Sequence, residues 1–299
     1  MNAIAVLTAT PSDDLLEFYS GFVRLGYRVF VVVDDNHFKL DNAEVKAKNT
    51  GVSLIQFKDY DCKKAGFFNF TVLFNPIVKK RNWNGLQSGC SAWEKALYYF
   101  CCRDLSHDNV WFIEDDCFVP DHEIILNLDR KYENADIISA DNVVNKDGVL
   151  DNQERWPWWR LVPKTILRPP WAHSLVVTVR LSRKMLADFA SLVRSNKNKL
   201  RVTNTMITAT KVVGLLRPKS LWRKQFFIEF TFHTLALHNQ LSVIKARELS
   251  GLVFRKEWDV SEMNRGTIYH PLKDRGSHNR YRKMLNQDTM RRRQGGYVV

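Results

Sequence analysis

The run Val110-Trp111-Phe112-Ile113 empties directly into Glu114-Asp115-Asp116. A short apolar run of branched and aromatic residues reads as a buried strand of an α/β sheet. Ligands of open α/β sheets gather outside the carboxyl ends of strands, which is where these three acids fall. Adjacent carboxylates repel, and a cation offsets that repulsion. Hard oxygen ligands of this kind suit Mg2+ or Mn2+, which commonly bridge to a substrate's phosphates. The competing explanation is capping of a helix over Pro120–Tyr132. Asp121 stands at that helix start and can cap it without help from the triplet.

The stretches around this run alternate strand and helix. Ile4–Leu7 reads as a first buried strand, and Ser12 and Asp13 offer caps for a helix through Leu25. Tyr27–Val33 is a second strand ending in Asp34-Asp35. Val52–Phe57 is expected to be a third strand and Thr71–Phe74 a short fourth. Ser88–Cys102 reads as a helix with Trp93, Leu97 and Phe100 on one face, and Asp136–Ala140 as a further strand. This order predicts an α/β fold with a mostly parallel central sheet flanked by helices. No Gly-x-Gly-x-x-Gly follows the first strand, which argues against a dinucleotide fold of the usual kind.

The second half has another texture. Arg155–Trp171 sets Trp156, Trp158, Trp159 and Trp171 among four prolines, the composition of a rigid aromatic loop. Leu175–Val179 reads as a strand, Ser182–Val193 as a helix capped by Ser182, and Phe226–Leu241 as a long apolar helix. No linker divides the chain. A single domain over 1–285 is expected, with a nucleotide-binding half over about 1–140, an acceptor half over about 141–285, and a basic tail over 286–299.

Hydrophobic residues make up 45% and charged residues 26% of the 299, ordinary for a globular protein with a substantial core. The net charge of +13 calls for an anionic partner. Much of the excess lies from Lys273 onward, and Arg291-Arg292-Arg293 reads as a solvated terminus. The five cysteines are odd in number and form no Cys-x-x-Cys pair, which points to a reducing, cytoplasmic setting. The N-terminus lacks the pattern of a signal peptide, and no segment approaches a membrane span.

Taken together, Ser91-Ala92-Trp93-Glu94-Lys95-Ala96, Trp111–Asp116, Pro170-Trp171, Arg180-Leu181-Ser182, Glu229 and Tyr269-His270-Pro271-Leu272-Lys273-Asp274 resemble glycosyltransferases of the GT-A fold. The resemblance is closer to a group assigned in algae and large algal viruses. It implies a GT-A-like (Rossmann-like) domain in which Glu114-Asp115-Asp116 is the Asp-x-Asp-type motif holding a metal and the diphosphate of a nucleotide sugar. It implies a UDP-sugar donor, a glycan or glycoprotein acceptor, and a place in viral or algal glycan synthesis. His270 would be a further metal ligand beside Glu114 and Asp116; a surface His before a turn-forming Pro271 is the plainer alternative. Asp115, Lys95 and Lys273 would contact the donor, with Asp34, Asp35, Thr8 and Thr10 as candidates for its ribose or base. An Asp at a strand-to-turn junction and a Lys on an exposed helix face explain Asp34, Asp35 and Lys95 equally well.

Inverting transfer also needs a base. Glu229 interrupts Phe226-Phe227-Ile228 and Phe230, where burial raises a carboxyl's pKa toward a value useful in catalysis. Pairing with His233, four residues on, is the alternative. Asp141 is the reserve. Trp158, Trp159 and Trp171 could stack on acceptor sugars or simply anchor packing. Two other classes share the metal-and-phosphate chemistry: a nucleotidyltransferase, and a nucleic-acid binder or phosphodiester enzyme. The second fits less well, because basic residues are not interleaved with aromatics along a recognisable module.

Overall fold

A computed structural model of the chain describes residues 1–68, 70, 90–149, 156–212 and 226–295. The strand expected at Thr71–Phe74 lies outside them, as do the starts of the two segments expected at Ser88 and Arg155. The N-terminal elements follow in the order β1 (Ala3–Thr8), α1 (Asp13–Arg24), β2 (Arg28–Val33), α2 (Asp41–Thr50), β3 (Ser53–Ile55) and α3 (Asp59–Ala65). Next come α4 (Ala92–Cys102), β4 (Asn109–Glu114), α5 (His122–Lys131), β5 (Ile137–Ser139), β6 (Val143–Asn145), β7 (Trp171–His173) and β8 (Thr178–Ser182). The remainder is α6 (Arg183–Val212), α7 (Ile228–His238), β9 (Val243–Lys245), β10 (Gly251–Leu252), β11 (Tyr269–His270) and α8 (Arg275–Gly295).

Seven of these strands form one sheet in the order β3-β2-β1-β4-β8-β5-β9. All its pairings are parallel except those of β8, which runs antiparallel to both β4 and β5. The mostly parallel α/β sheet expected from the sequence is therefore present, with one reversed strand near its middle. The chain winds outward from β1 through β2 to β3, then returns to place β4 on the other side of β1. That reversal leaves a crevice at the carboxyl ends of β1 and β4, the general ligand position in such sheets.

The central strands β1, β2 and β4 are mostly apolar because both sheet faces are covered. Along β1, Ala3, Ala5 and Leu7 enter one core, while Ile4 and Val6 enter the other. Along β4, Val110 and Phe112 join the first core, and Trp111 and Ile113 the second. This period-two division fixes the register, since a slip of one residue would exchange the faces.

The strand expected at Leu175–Val179 lies instead at Thr178–Ser182. Pairing with β4 begins only at Thr178 opposite Ile113, and it carries Arg180 into the sheet. Arg180 is fully buried and donates to Asp129 Oδ1 at 2.8 Å and to the carbonyls of Tyr132 and Ala135 at 2.6 and 2.8 Å. Tyr27 and Trp111 donate to the same Asp129 carboxylate at 2.6 and 3.0 Å. A charged residue can occupy a central strand because these partners engage both terminal nitrogens of its guanidinium, leaving only Nε without a hydrogen bond. Ser182 caps α6 as expected, accepting from Met185 N at 3.1 Å. The expected apolar helix at Phe226–Leu241 is shorter, Ile228–His238. α8 carries the chain from Arg275 into the basic C-terminal segment as far as Gly295.

Candidate active site

β1 and β4 deliver their last residues side by side, with Leu7 opposite Glu114. The first acid is thus the final residue of β4, and the chain leaves the sheet through Asp115 and Asp116. None of the three caps the next helix. Asp121 does so, accepting from Glu123 N at 3.1 Å.

The three carboxylates have different surroundings. Glu114 Oε1 accepts from the indole Nε1 of Trp93 at 2.7 Å. Asp115 accepts from the Thr8 hydroxyl and lies 2.8 Å from Arg275 Nη2. Arg275 also donates to the Thr10 carbonyl at 3.0 Å, so it ties α8 to the end of β1. Asp116 Oδ1 is buried, accepts no hydrogen bond, and lies 3.5 Å from His270 Nε2. Asp115 is already engaged by two donors, whereas Asp116 is left without one.

His270 belongs to β11 and is only 7% exposed, which excludes the surface alternative for it. Its Nδ1 lies 2.8 Å from the Val253 carbonyl. A carbonyl only accepts, so Nδ1 carries the hydrogen and the neutral ring turns the Nε2 lone pair toward Asp116. Metal-binding histidines are commonly oriented in this way. One ligand atom each from Glu114, Asp116 and His270 lies within 4.8 Å of the others. Two carboxylates and an imidazole are suitable donors for manganese or magnesium. The orphaned Asp116 oxygen and the aimed imidazole fit such an ion.

The electrostatics agree with this fit. Burial pushes Glu114 up to about 7, with Asp116 adding to the rise against the opposing Trp93 hydrogen bond. Burial alone would raise Asp116 and lower His270, but their mutual attraction outweighs it. Asp116 is held below the usual carboxylate range and His270 above the usual imidazole range. A cation placed between them would meet the same demand for positive charge beside Asp116.

A cavity of about 1080 Å³ opens on this cluster. Lys273 and Asp274 lie on its wall beside His270, Trp158 and Phe227 on another part, and Glu229 among them. Glu229 lies in the first turn of α7, and burial, helped by the charges of Glu114 and Asp141, pushes it up to about 8. His233 is not its partner, because that imidazole meets the Ser139 hydroxyl at 2.9 Å. Asp141, just beyond β5, has a buried Oδ1 without a hydrogen bond and does not line the cavity. Of the three tryptophans considered for sugar stacking, only Trp158 reaches the cavity. Trp159 and Trp171 are fully buried and stack on one another at 5.9 Å, so both are packing anchors.

Asp34 and Asp35 follow β2 at the same sheet edge as Thr8. Burial raises Asp34 to about 6. Asp35 is exposed and caps a turn by accepting from His37 N at 2.7 Å. Lys95 is neither an exposed helix charge nor open to the cavity. It is fully buried, donates to the Asp34 carbonyl, and reaches Asn36 Oδ1 at 2.7 Å. Its contribution is to hold the Asp34 turn in place.

Two groups escape a linear reading. Trp93 looks like an ordinary apolar position of α4 in the sequence, and Arg275 like one more charge of a basic tail. Both meet the acid triplet only through tertiary structure. The segment Phe254–Glu257 also lines the cavity, and no pattern in the sequence marks it.

No protein-family model matches the chain, and no curated protein matches it. Among solved structures, the chain is similar to a crystal structure of an active-site mutant of LgtC. The identity is 11%, the match covers 96% of each chain, and the TM-score is 0.42. That likeness is too loose to assign a family or an activity. No helix among the described residues is long and apolar enough to cross a membrane.

Proposed function

We propose that this chain is a metal-dependent, GT-A-type glycosyltransferase that moves a sugar from a nucleotide-sugar donor to a hydroxyl of a glycan or glycoprotein acceptor. The observation that carries the reading is the convergence of Glu114, Asp116 and His270 at the end of β4, on a cavity that also holds Lys273 and Glu229. Glu114, Asp116 and His270 would hold a manganese or magnesium ion. Such an ion, when bound, supplies Lewis-acid stabilisation to charge developing on a departing diphosphate. A UDP sugar is the donor class that the resemblance implies.

The chain's own residues account for the remaining requirements. Lys273 is exposed on the cavity wall, where its ammonium can neutralise a phosphate oxygen. Asp115, held by Thr8 and Arg275, fixes the turn that carries Asp116. Glu229 accepts the acceptor's hydroxyl proton as that oxygen bonds to the anomeric carbon and the bond to the diphosphate breaks. The products are an inverted glycoside and a nucleoside diphosphate. A base must be ionised, so a carboxyl near 8 works best on the alkaline side of neutrality. Asp141 contributes to that raised value through its charge.

A thermal-shift screen of nucleotide sugars with and without manganese tests this reading. A selective rise that needs the metal supports it. Release of pyrophosphate instead of a nucleoside diphosphate on turnover would favour a nucleotidyltransferase.

A further inference from the structure

The segment Phe254–Glu257 forms a short arch with both feet on His270. At one foot, Val253 O accepts from His270 Nδ1 at 2.8 Å, and Val253 N donates to His270 O at 3.4 Å. At the other, the Trp258 indole donates to the same His270 carbonyl at 3.0 Å. The pairing of β10 with β11 sets Leu252 opposite His270 and continues this anchorage. The arch is therefore fastened to a candidate metal ligand, and its residues line the cavity that Glu114 and Asp116 share.

Its side chains are unequally engaged. Lys256 pairs with Glu262 at 2.5 Å and lies 3.9 Å over the Trp258 ring. Arg255 has no ion pair or hydrogen bond among the described residues, even with Glu257 on the same arch. Its guanidinium sits 5.0 Å over the ring of Phe254, which is 63% exposed. An aromatic ring offers a flat apolar surface suited to the C–H face of a sugar. A guanidinium offers a planar fork that matches a carboxylate or sulfate. Lys273 lines the same cavity as Glu114, Asp116 and His270, which suits it to the diphosphate and leaves Arg255 for another anion.

We propose that Phe254 and Arg255 form a subsite for an anionic sugar, a uronic acid or a sulfated residue, with its ring on Phe254 and its acid group paired to Arg255. The subsite deepens the glycosyltransferase reading and rests on it. The charged sugar can belong to the donor or to the acceptor, and the two sources are separable by experiment.

The test uses calorimetric titration of the full chain in the presence of manganese. One arm compares UDP-glucuronic acid with UDP-glucose. The other loads the protein with UDP and compares methyl glucuronide with methyl glucoside. In one arm the charged sugar is expected to bind about tenfold tighter than the neutral one, the effect of one charge-assisted hydrogen-bonded pair. Arg255→Gln is expected to remove that preference and leave UDP affinity unchanged. The absence of a charge preference in both arms overturns the subsite. A loss of UDP affinity in Arg255→Gln also overturns it, because Arg255 would then serve the diphosphate. If neither UDP nor any other nucleoside diphosphate binds with manganese, the underlying glycosyltransferase reading fails as well.

Discussion

The indole Nε1 of Trp93 donates to Glu114 Oε1 at 2.7 Å and so fixes one carboxylate of the candidate metal centre. Trp93 is itself immobilised. Its ring stacks on Phe112 of β4 at 5.4 Å, and Ser91 with Glu94 closes a capping box at the start of its helix. A ligand oxygen aimed by a buried donor loses little freedom when it binds an ion, and removing such a partner usually weakens metal affinity 10–100-fold. Trp93→Phe keeps most of the ring and deletes the donor. Manganese affinity is expected to fall about tenfold in calorimetry while the circular-dichroism melt stays cooperative. Unchanged affinity would mean that the indole only packs.

The raised pKa of Glu229 predicts a stability profile that needs no substrate. The folded protein keeps a proton on this carboxyl up to about 8, whereas an unperturbed glutamic acid releases it near 4.5. Between those values the native state binds more protons than the unfolded chain, so stability falls as pH rises through the window. Glu229→Gln removes the titration. Its Tm relative to wild type should therefore be higher at pH 9 than at pH 4, and equal differences at both would show that Glu229 is not held in its neutral form. The same substitution should cut transfer severely with donor affinity largely intact.

Arg275 and Asp115 provide a third test, because they join the first turn of α8 to the acid triplet. Arg275→Ala leaves the Asp115 carboxylate half-buried with Thr8 as its remaining side-chain partner. Loss of such a partner costs about 1–3 kcal/mol, measurable as a lower urea midpoint. A double-mutant cycle with Asp115→Asn should show the two effects to be coupled. Strict additivity would argue that the pair is incidental.

Arg180 predicts the largest loss of stability away from the site. Its guanidinium is fully buried against Asp129, and breaking a buried pair by removing one partner typically costs about 3–5 kcal/mol. Arg180→Met should lower the unfolding free energy by that order, read from the shift of the urea midpoint. A shift within error would show that the remaining donors from Tyr27 and Trp111 satisfy Asp129 unaided.

Which features were legible in the sequence follows from how local their causes are. β1, β2 and β4 are legible because both faces of a covered sheet must be apolar, and the result is an uninterrupted run in each strand. Ser12, Asp121 and Ser182 are legible because capping uses only neighbouring backbone. β8 is displaced from its expected place because Arg180 interrupts the apolar pattern, and what makes Arg180 tolerable lies on α5, far away in sequence. The acid triplet advertises itself by self-repulsion. The third member of the cluster does not: His270 is marked only through the resemblance carried by Tyr269–Asp274, and its orientation depends on a carbonyl of Val253. Likewise, four neighbouring tryptophans look alike in sequence, and only tertiary packing separates Trp158 on the cavity from Trp159 and Trp171 in the core.

The account depends on whether Glu114, Asp116 and His270 together hold a divalent cation. Manganese binding to the purified chain, followed by the loss of the free-ion electron paramagnetic resonance signal, tests this most directly. The account predicts saturable binding of one ion, abolished by Asp116→Ala and strongly weakened by His270→Ala, with both variants folded. Saturable binding that survives both substitutions, or no binding by the wild-type chain with or without a nucleoside diphosphate, would contradict it.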